Sequence, residues 1–128
     1  MKKQAVISAM VLAFTAGAFA QGKHEHAHEH TALHGGVVVE SKDVDYELVA
    51  TPDTLQLHLR DHGKPMDVSK ASARVTLLAG AEKQDVELKP AGGKLEAKGS
   101  FKVPAGTKAI AVVSNAGKTL GTARFVLK

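Results

Sequence analysis

After Gly35, apolar and polar residues alternate with a period of two through segment after segment. In Val44-Asp45-Tyr46-Glu47-Leu48 the apolar side chains share one parity and the acids take the other. Leu55, Leu57 and Leu59 point one way, with Gln56, His58 and Arg60 opposite. Ala73, Val75 and Leu77 repeat the pattern, as do Val86 and Leu88. From Lys94 to Val103, Lys94, Glu96, Lys98, Ser100 and Lys102 alternate with Leu95, Ala97, Gly99, Phe101 and Val103. Ala123, Phe125 and Leu127 close the series. Side chains that alternate in this way mark strands with one buried face.

Turn residues separate the runs: Thr51-Pro52-Asp53, His62-Gly63-Lys64-Pro65, Pro90-Ala91-Gly92-Gly93, Pro104-Ala105-Gly106 and Asn115-Ala116-Gly117-Lys118. Val37–Val39 and Ile110–Val113 are apolar on both parities and read as central strands. No amphipathic helix can be placed after Gly35. The pattern predicts an all-β domain over 35–128, an antiparallel two-sheet sandwich of immunoglobulin-like type with roughly seven to eight strands. A small β-barrel is the competing architecture.

The first 34 residues follow different rules. Lys2 and Lys3 precede an apolar run from Ala5 to Phe19, and Ala18-Phe19-Ala20 places small residues at the positions a signal peptidase requires. The expectation is a signal peptide over 1–20, cleaved before Gln21, because the run is shorter than the roughly 20 apolar residues that span a bilayer. The product would be exported, soluble and not inserted in the membrane, and with no cysteine after the cleavage site it would carry no lipid there. Loss of Lys2 and Lys3 lowers the formal charge from +4 to +2. The absence of cysteine removes thiolate metal sites, disulfides and cysteine nucleophiles, so the domain must rest on its core alone.

Residues 21–34 read QGKHEHAHEHTALH and hold five of the seven histidines. This segment is the candidate metal-binding tail, with His24, His26, His28, His30 and His34 as ligands and Glu25 and Glu29 as weaker ones. Imidazole suits Zn²⁺, Cu²⁺, Ni²⁺ and Co²⁺, and a carboxylate can complete the sphere. An extended chain projects His24, His26, His28 and His30 to one side, whereas a helical turn makes neighbours of His26 and His30, or His30 and His34. Ordering such a tail costs about 1–2 kcal/mol per residue, which moderates affinity. His58 and His62 form a second, weaker candidate on one strand, with the Arg60 guanidinium between them opposing a cation.

Elimination narrows the metal chemistry. Met66 is the sole methionine after the signal segment and thiols are absent, so a sulfur-based Cu(I) site is not available. His24 stands fourth after the cleavage site, one position too far for a Cu(II) site built on the amino terminus and a third-position histidine. What remains is a multi-histidine site for divalent Zn, Cu, Ni or Co.

Other functions find little support. The lysines are spread along strand after strand, as on a solvated sheet face, and Tyr46, Phe101 and Phe125 offer no stacking platform, so no nucleic-acid partner is expected. Ser41, Ser69, Ser72, Ser100 and Ser114 lack a nucleophile-elbow context, the acids show no catalytic pairing, and there is no Gly-rich phosphate loop. The expectation is a protein that is not an enzyme. Its rival is an interaction module that docks a partner through an edge strand, the histidines being incidental.

The stretches His34-Gly35-Gly36-Val37-Val38, Tyr46-Glu47-Leu48-Val49 and Leu57-His58-Leu59-Arg60-Asp61-His62-Gly63-Lys64-Pro65 are similar to a known family. Over roughly residues 24–128 the chain resembles the small periplasmic β-sandwich domain near the N-terminus of some heavy-metal efflux pump adaptors, and stand-alone proteins made of that domain. The resemblance implies periplasmic handling of copper, zinc, cobalt or nickel, with His34 joining the tail and an efflux component as a possible partner. The helical hairpin and membrane-proximal parts of an adaptor are absent from this sequence, which restricts the implied role to buffering or delivering metal.

Overall fold

A computed structural model describes residues 31–128. The expectations for the signal segment 1–20, and for His24, Glu25, His26, His28, Glu29 and His30, lie outside the described residues.

The alternating runs form nine strands, and every pairing is antiparallel. They are β1 (Val37–Ser41), β2 (Val44–Ala50), β3 (Thr54–Asp61), β4 (Lys64–Pro65), β5 (Ala71–Ala79), β6 (Glu82–Pro90), β7 (Leu95–Lys98), β8 (Lys108–Asn115) and β9 (Lys118–Val126). The described residues contain no helix, and so none long and apolar enough to cross a membrane. The count exceeds the expected one because the His62-Gly63 turn folds the two-residue β4 back onto β3. His62 and Gly63 both have positive φ, the geometry that matches the twist of a two-residue hairpin.

The hydrogen-bonded order is β1-β2-β3-β7-β6-β5-β8-β9, with β4 beside β3. Strand β6 joins the two halves: most of it pairs with β5, while Lys89 and Pro90 pair with β7. β1 and β9, the two ends of the path, pack against each other. The all-β expectation holds, in the form of two sheets that share a strand and nearly close into a barrel.

The parity reading locates the interior. Tyr46, Leu48, Leu55, Leu57, Val75, Leu77, Leu88, Leu95, Val113 and Phe125 are all at or below 2 % exposure and belong to one cluster. Leucines dominate on β2 and β3, and alanines at 71, 73, 109, 111 and 123 supply the small partners on β5, β8 and β9. Large and small side chains fill the space between two sheets better than leucine throughout.

Three local expectations change. Val37–Val39 read as a central strand, but β1 ends the hydrogen-bonded path and is only half-buried, its second neighbour being β9 by packing. The alternation from Lys94 to Val103 yields a strand only to Lys98. Beyond it the Gly99 and Phe101 N–H groups donate to the Asp53 and Pro52 carbonyls, which turns the chain and buries Phe101. Asp45 and Glu47 lie on the outer face of β2 as their parity demands, yet they are 6 % and 0 % exposed. Glu47 is covered by the residues that lead into β1.

Candidate metal centre

The register of β2 on β3 sets Glu47 opposite His58 and Asp45 opposite Arg60 on the outer face. Residues 31–36 then lie over this pair of strands and converge on the Glu47 carboxylate. The Leu33 N–H donates to Oε1 at 3.0 Å, and the His34 and Gly36 N–H groups donate to Oε2 at 2.7 and 2.9 Å. The His34 ring reaches Oε1 through Nδ1 at 3.0 Å, and Arg60 adds a weaker contact at 3.4 Å. The other arm of the Arg60 guanidinium donates to the Thr31 carbonyl at 3.1 Å.

The two glycines explain why the chain can do this. Gly35 has φ +79°, a region open to glycine at no steric cost, and it turns successive N–H groups toward one acceptor. At Gly36 a Cβ would overlap the Leu48 carbonyl and the Val49 side chain. The chain therefore passes flat against β2, close enough for its own N–H to reach Glu47.

Electrostatics follow from this cradle. Burial pushes the Glu47 carboxyl up, but the Gly36 N–H, the His34 ring and the His34 and Leu33 N–H groups outweigh it and hold the pKa down at about 2. Glu47 is a carboxylate at neutral pH and can only accept, so His34 must carry its proton on Nδ1. In the neutral ring that leaves Nε2 with a free lone pair. A carboxylate that fixes the tautomer of a histidine in this way is the usual outer partner of a metal-binding imidazole.

His58 lies beneath His34. The ring centroids are 3.6 Å apart and the planes 6° from parallel. Burial, then the His34 ring, push the His58 imidazole below its ordinary pKa; Glu47 opposes and Lys94 and Arg60 add to the depression. Its Nε2 is buried and has no hydrogen-bond partner. His58 thus keeps one ring nitrogen unsatisfied in surroundings that disfavour its charged form.

Of the ligands predicted from sequence, the structure brings His34 and His58 together and separates His62 from them. His62 belongs to the β3–β4 turn, is 73 % exposed and contacts Asp61 at 2.6 Å. It stands four positions beyond His58, roughly 13 Å along an extended chain. Arg60, expected to repel a cation, is occupied by Glu47 and Thr31. Glu47 is the residue that parity reasoning missed, because alternation treats every outward acid as solvated. The available signal was the His34-Gly35-Gly36 step, whose exposed N–H groups need an acceptor. Among the described residues no group of three or more His, Asp or Glu side chains is arranged to hold an ion.

No family model matches the chain, and no curated protein does either. A solved structure, described as the crystal structure of a Br derivative of BhCBM56, is similar with a TM-score of 0.39 and 11 % identity. The likeness covers 73 % of this chain and 96 % of that one.

Proposed function

We propose that this is an exported, periplasmic binding protein for a divalent transition metal, Zn²⁺, Cu²⁺, Ni²⁺ or Co²⁺, that captures the ion through the histidines at its N-terminus. The β-domain is the support, and the tail from Gln21 to His34 is the working part. The role would be that of a metal buffer, chaperone or accessory to efflux, and the chain is not an enzyme.

The single observation that carries this reading is the His34 Nδ1 contact with the buried Glu47 carboxylate. A spacer would gain nothing from having its last histidine held in one tautomer, with Nε2 available and 44 % of its side chain exposed. Holding His34 in place fixes the last residue of the tail. Part of the ordering cost of a metal-bound tail is thereby met before the ion arrives. Neutral imidazole is the ligand form, so binding weakens as pH falls below about 6.5.

Equilibrium dialysis against micromolar Zn²⁺ and Cu²⁺ tests the proposal, comparing the processed chain with one in which His24, His26, His28, His30 and His34 are all changed to Asn. Saturable uptake by the first and none by the second is the expected result. Equal uptake by both would remove the tail from the mechanism.

A further inference from the structure

The outer face of β6, β5, β8 and β9, which lie side by side in that order, has a layout that metal capture by the tail does not use. Its middle is apolar. Leu78 on β5, Ile110 and Val112 on β8 and Val126 on β9 all point outward, opposite in parity to the buried Leu77, Ala111 and Phe125. Val112 and Val126 are 41 % and 58 % exposed, and a shallow pocket of about 190 Å³ lies among Leu78, Ile110 and Val126. The margins carry opposite charge: Asp85 and Glu87 are exposed on β6, and Arg124 is exposed on β9. Arg124 has no ion-pair partner among the described residues.

We infer that this face binds a second copy of the chain, in a two-fold dimer whose axis runs along the strands between β5 and β8. Single exposed apolar residues are ordinary, but four on three adjacent strands make a patch of the kind that marks an interface. The charges then select the partner. A uniformly acidic ligand would satisfy Arg124 and be repelled by Asp85 and Glu87, whereas a copy of the same face turned about that axis meets both margins with the opposite sign.

The register supports this choice of axis. Asp85 pairs with Thr76, Thr76 with Ile110 and Ile110 with Arg124, so Asp85 and Arg124 stand at the two ends of one row. Rotation about an axis along the strands reverses the row and lays each Asp85 over the partner's Arg124. Rotation about an axis across the strands would set Asp85 on Asp85 and Arg124 on Arg124, which is disfavoured. Lys83 and Lys108 share a row with Leu78 and Val126, and their stems can lie over those side chains of the other copy with the ammonium groups in water. Four strands about eight residues long cover on the order of 500 Å² at ordinary strand spacing and rise. Two copies therefore bury about 1,000 Å², the lower bound for a specific interface, which sets a weak dimer with a micromolar dissociation constant.

Sedimentation equilibrium of the processed chain tests this, with chelator present so that no metal bridges two tails. A monomer–dimer equilibrium in the micromolar range is expected. Arg124→Glu and Asp85→Arg each place like charges together twice per dimer, and each should weaken association by about tenfold or more. Both positions are exposed, and thermal melting confirms that each variant folds. An equimolar mixture of the two should recover association, because opposite charges then meet at both contacts. In the unaltered chain, the amide shifts of Ile110, Val112 and Val126 should move with concentration while those of Leu55 and Leu57 hold still. A chain that stays monomeric at millimolar concentration would overturn the dimer. So would association indifferent to both substitutions, a mixture of folded variants no tighter than either alone, or shift changes confined to residues off this face. None of these outcomes touches metal capture by the tail, which dialysis decides separately.

Discussion

The two faces of β2 are built on different principles. On the inner face Val44, Tyr46 and Leu48 are held by apolar contact with many neighbours, and no single atom is indispensable. On the outer face one carboxylate gathers three backbone N–H groups, an imidazole and a guanidinium, and nearly everything that fixes residues 31–36 passes through it. Area spreads stabilisation over a cluster, whereas a buried charge concentrates it at a point. The inner face spreads its stabilisation over many contacts. The outer face gives the domain a histidine in a chosen tautomer.

Removing the point should therefore cost as much as removing a large piece of the area. Glu47→Ala leaves Arg60 and several N–H groups without their acceptor, and a loss of about 3–5 kcal/mol is expected in urea unfolding. Leu57→Ala, a cavity at 0 % exposure, should cost about 2–5 kcal/mol. The two differ in kind, since only Glu47→Ala should also free residues 31–36, seen as rapid amide exchange at Leu33, His34 and Gly36. A leucine variant that frees the same amides would erase the distinction between the faces.

Acid should separate them as well. The Glu47 pKa is held at about 2, below its ordinary 4.5. The stability it contributes is complete above about pH 4.5 and is lost as pH falls from there toward 2, about 3 kcal/mol in all. Unfolding midpoints measured across that range should fall in the parent and stay flatter in Glu47→Gln. Gly36→Ala presses a methyl into the Leu48 carbonyl and should cost about 1–3 kcal/mol, with the loss confined to the outer face. Tyr46→Phe is the smallest change. Its hydroxyl is buried and unpartnered, so removing it should alter stability by no more than about 1 kcal/mol in either direction by thermal melting.

The sequence makes the inner face legible and the outer one nearly opaque, for a physical reason. Leu55, Leu57 and Leu59 declare their burial through parity, because a strand has two sides and the interior needs apolar residues. The same rule places Glu47 outside correctly and then fails, since it knows nothing of a distant segment folding over that side. The contact spans 13 residues, and its donors are backbone N–H groups, which leave no mark in composition. His34 was legible as chemistry but not as geometry. Arg60 is two positions from His58 in sequence, but its guanidinium is turned to Glu47 and Thr31, a direction that parity does not predict. The place of β1 escapes parity for a related reason: packing against β9 asks for apolar residues on both faces as much as a central position does.

The most direct measurement is the nitrogen spectrum of the His34 ring in the processed chain at neutral pH, before and after one equivalent of Zn²⁺. A ring protonated at Nδ1 that takes the ion at Nε2, with the Glu47 contact kept, is the predicted result. A ring protonated at Nε2, or one whose nitrogens ignore the metal, would contradict the link between the buried carboxylate and metal capture.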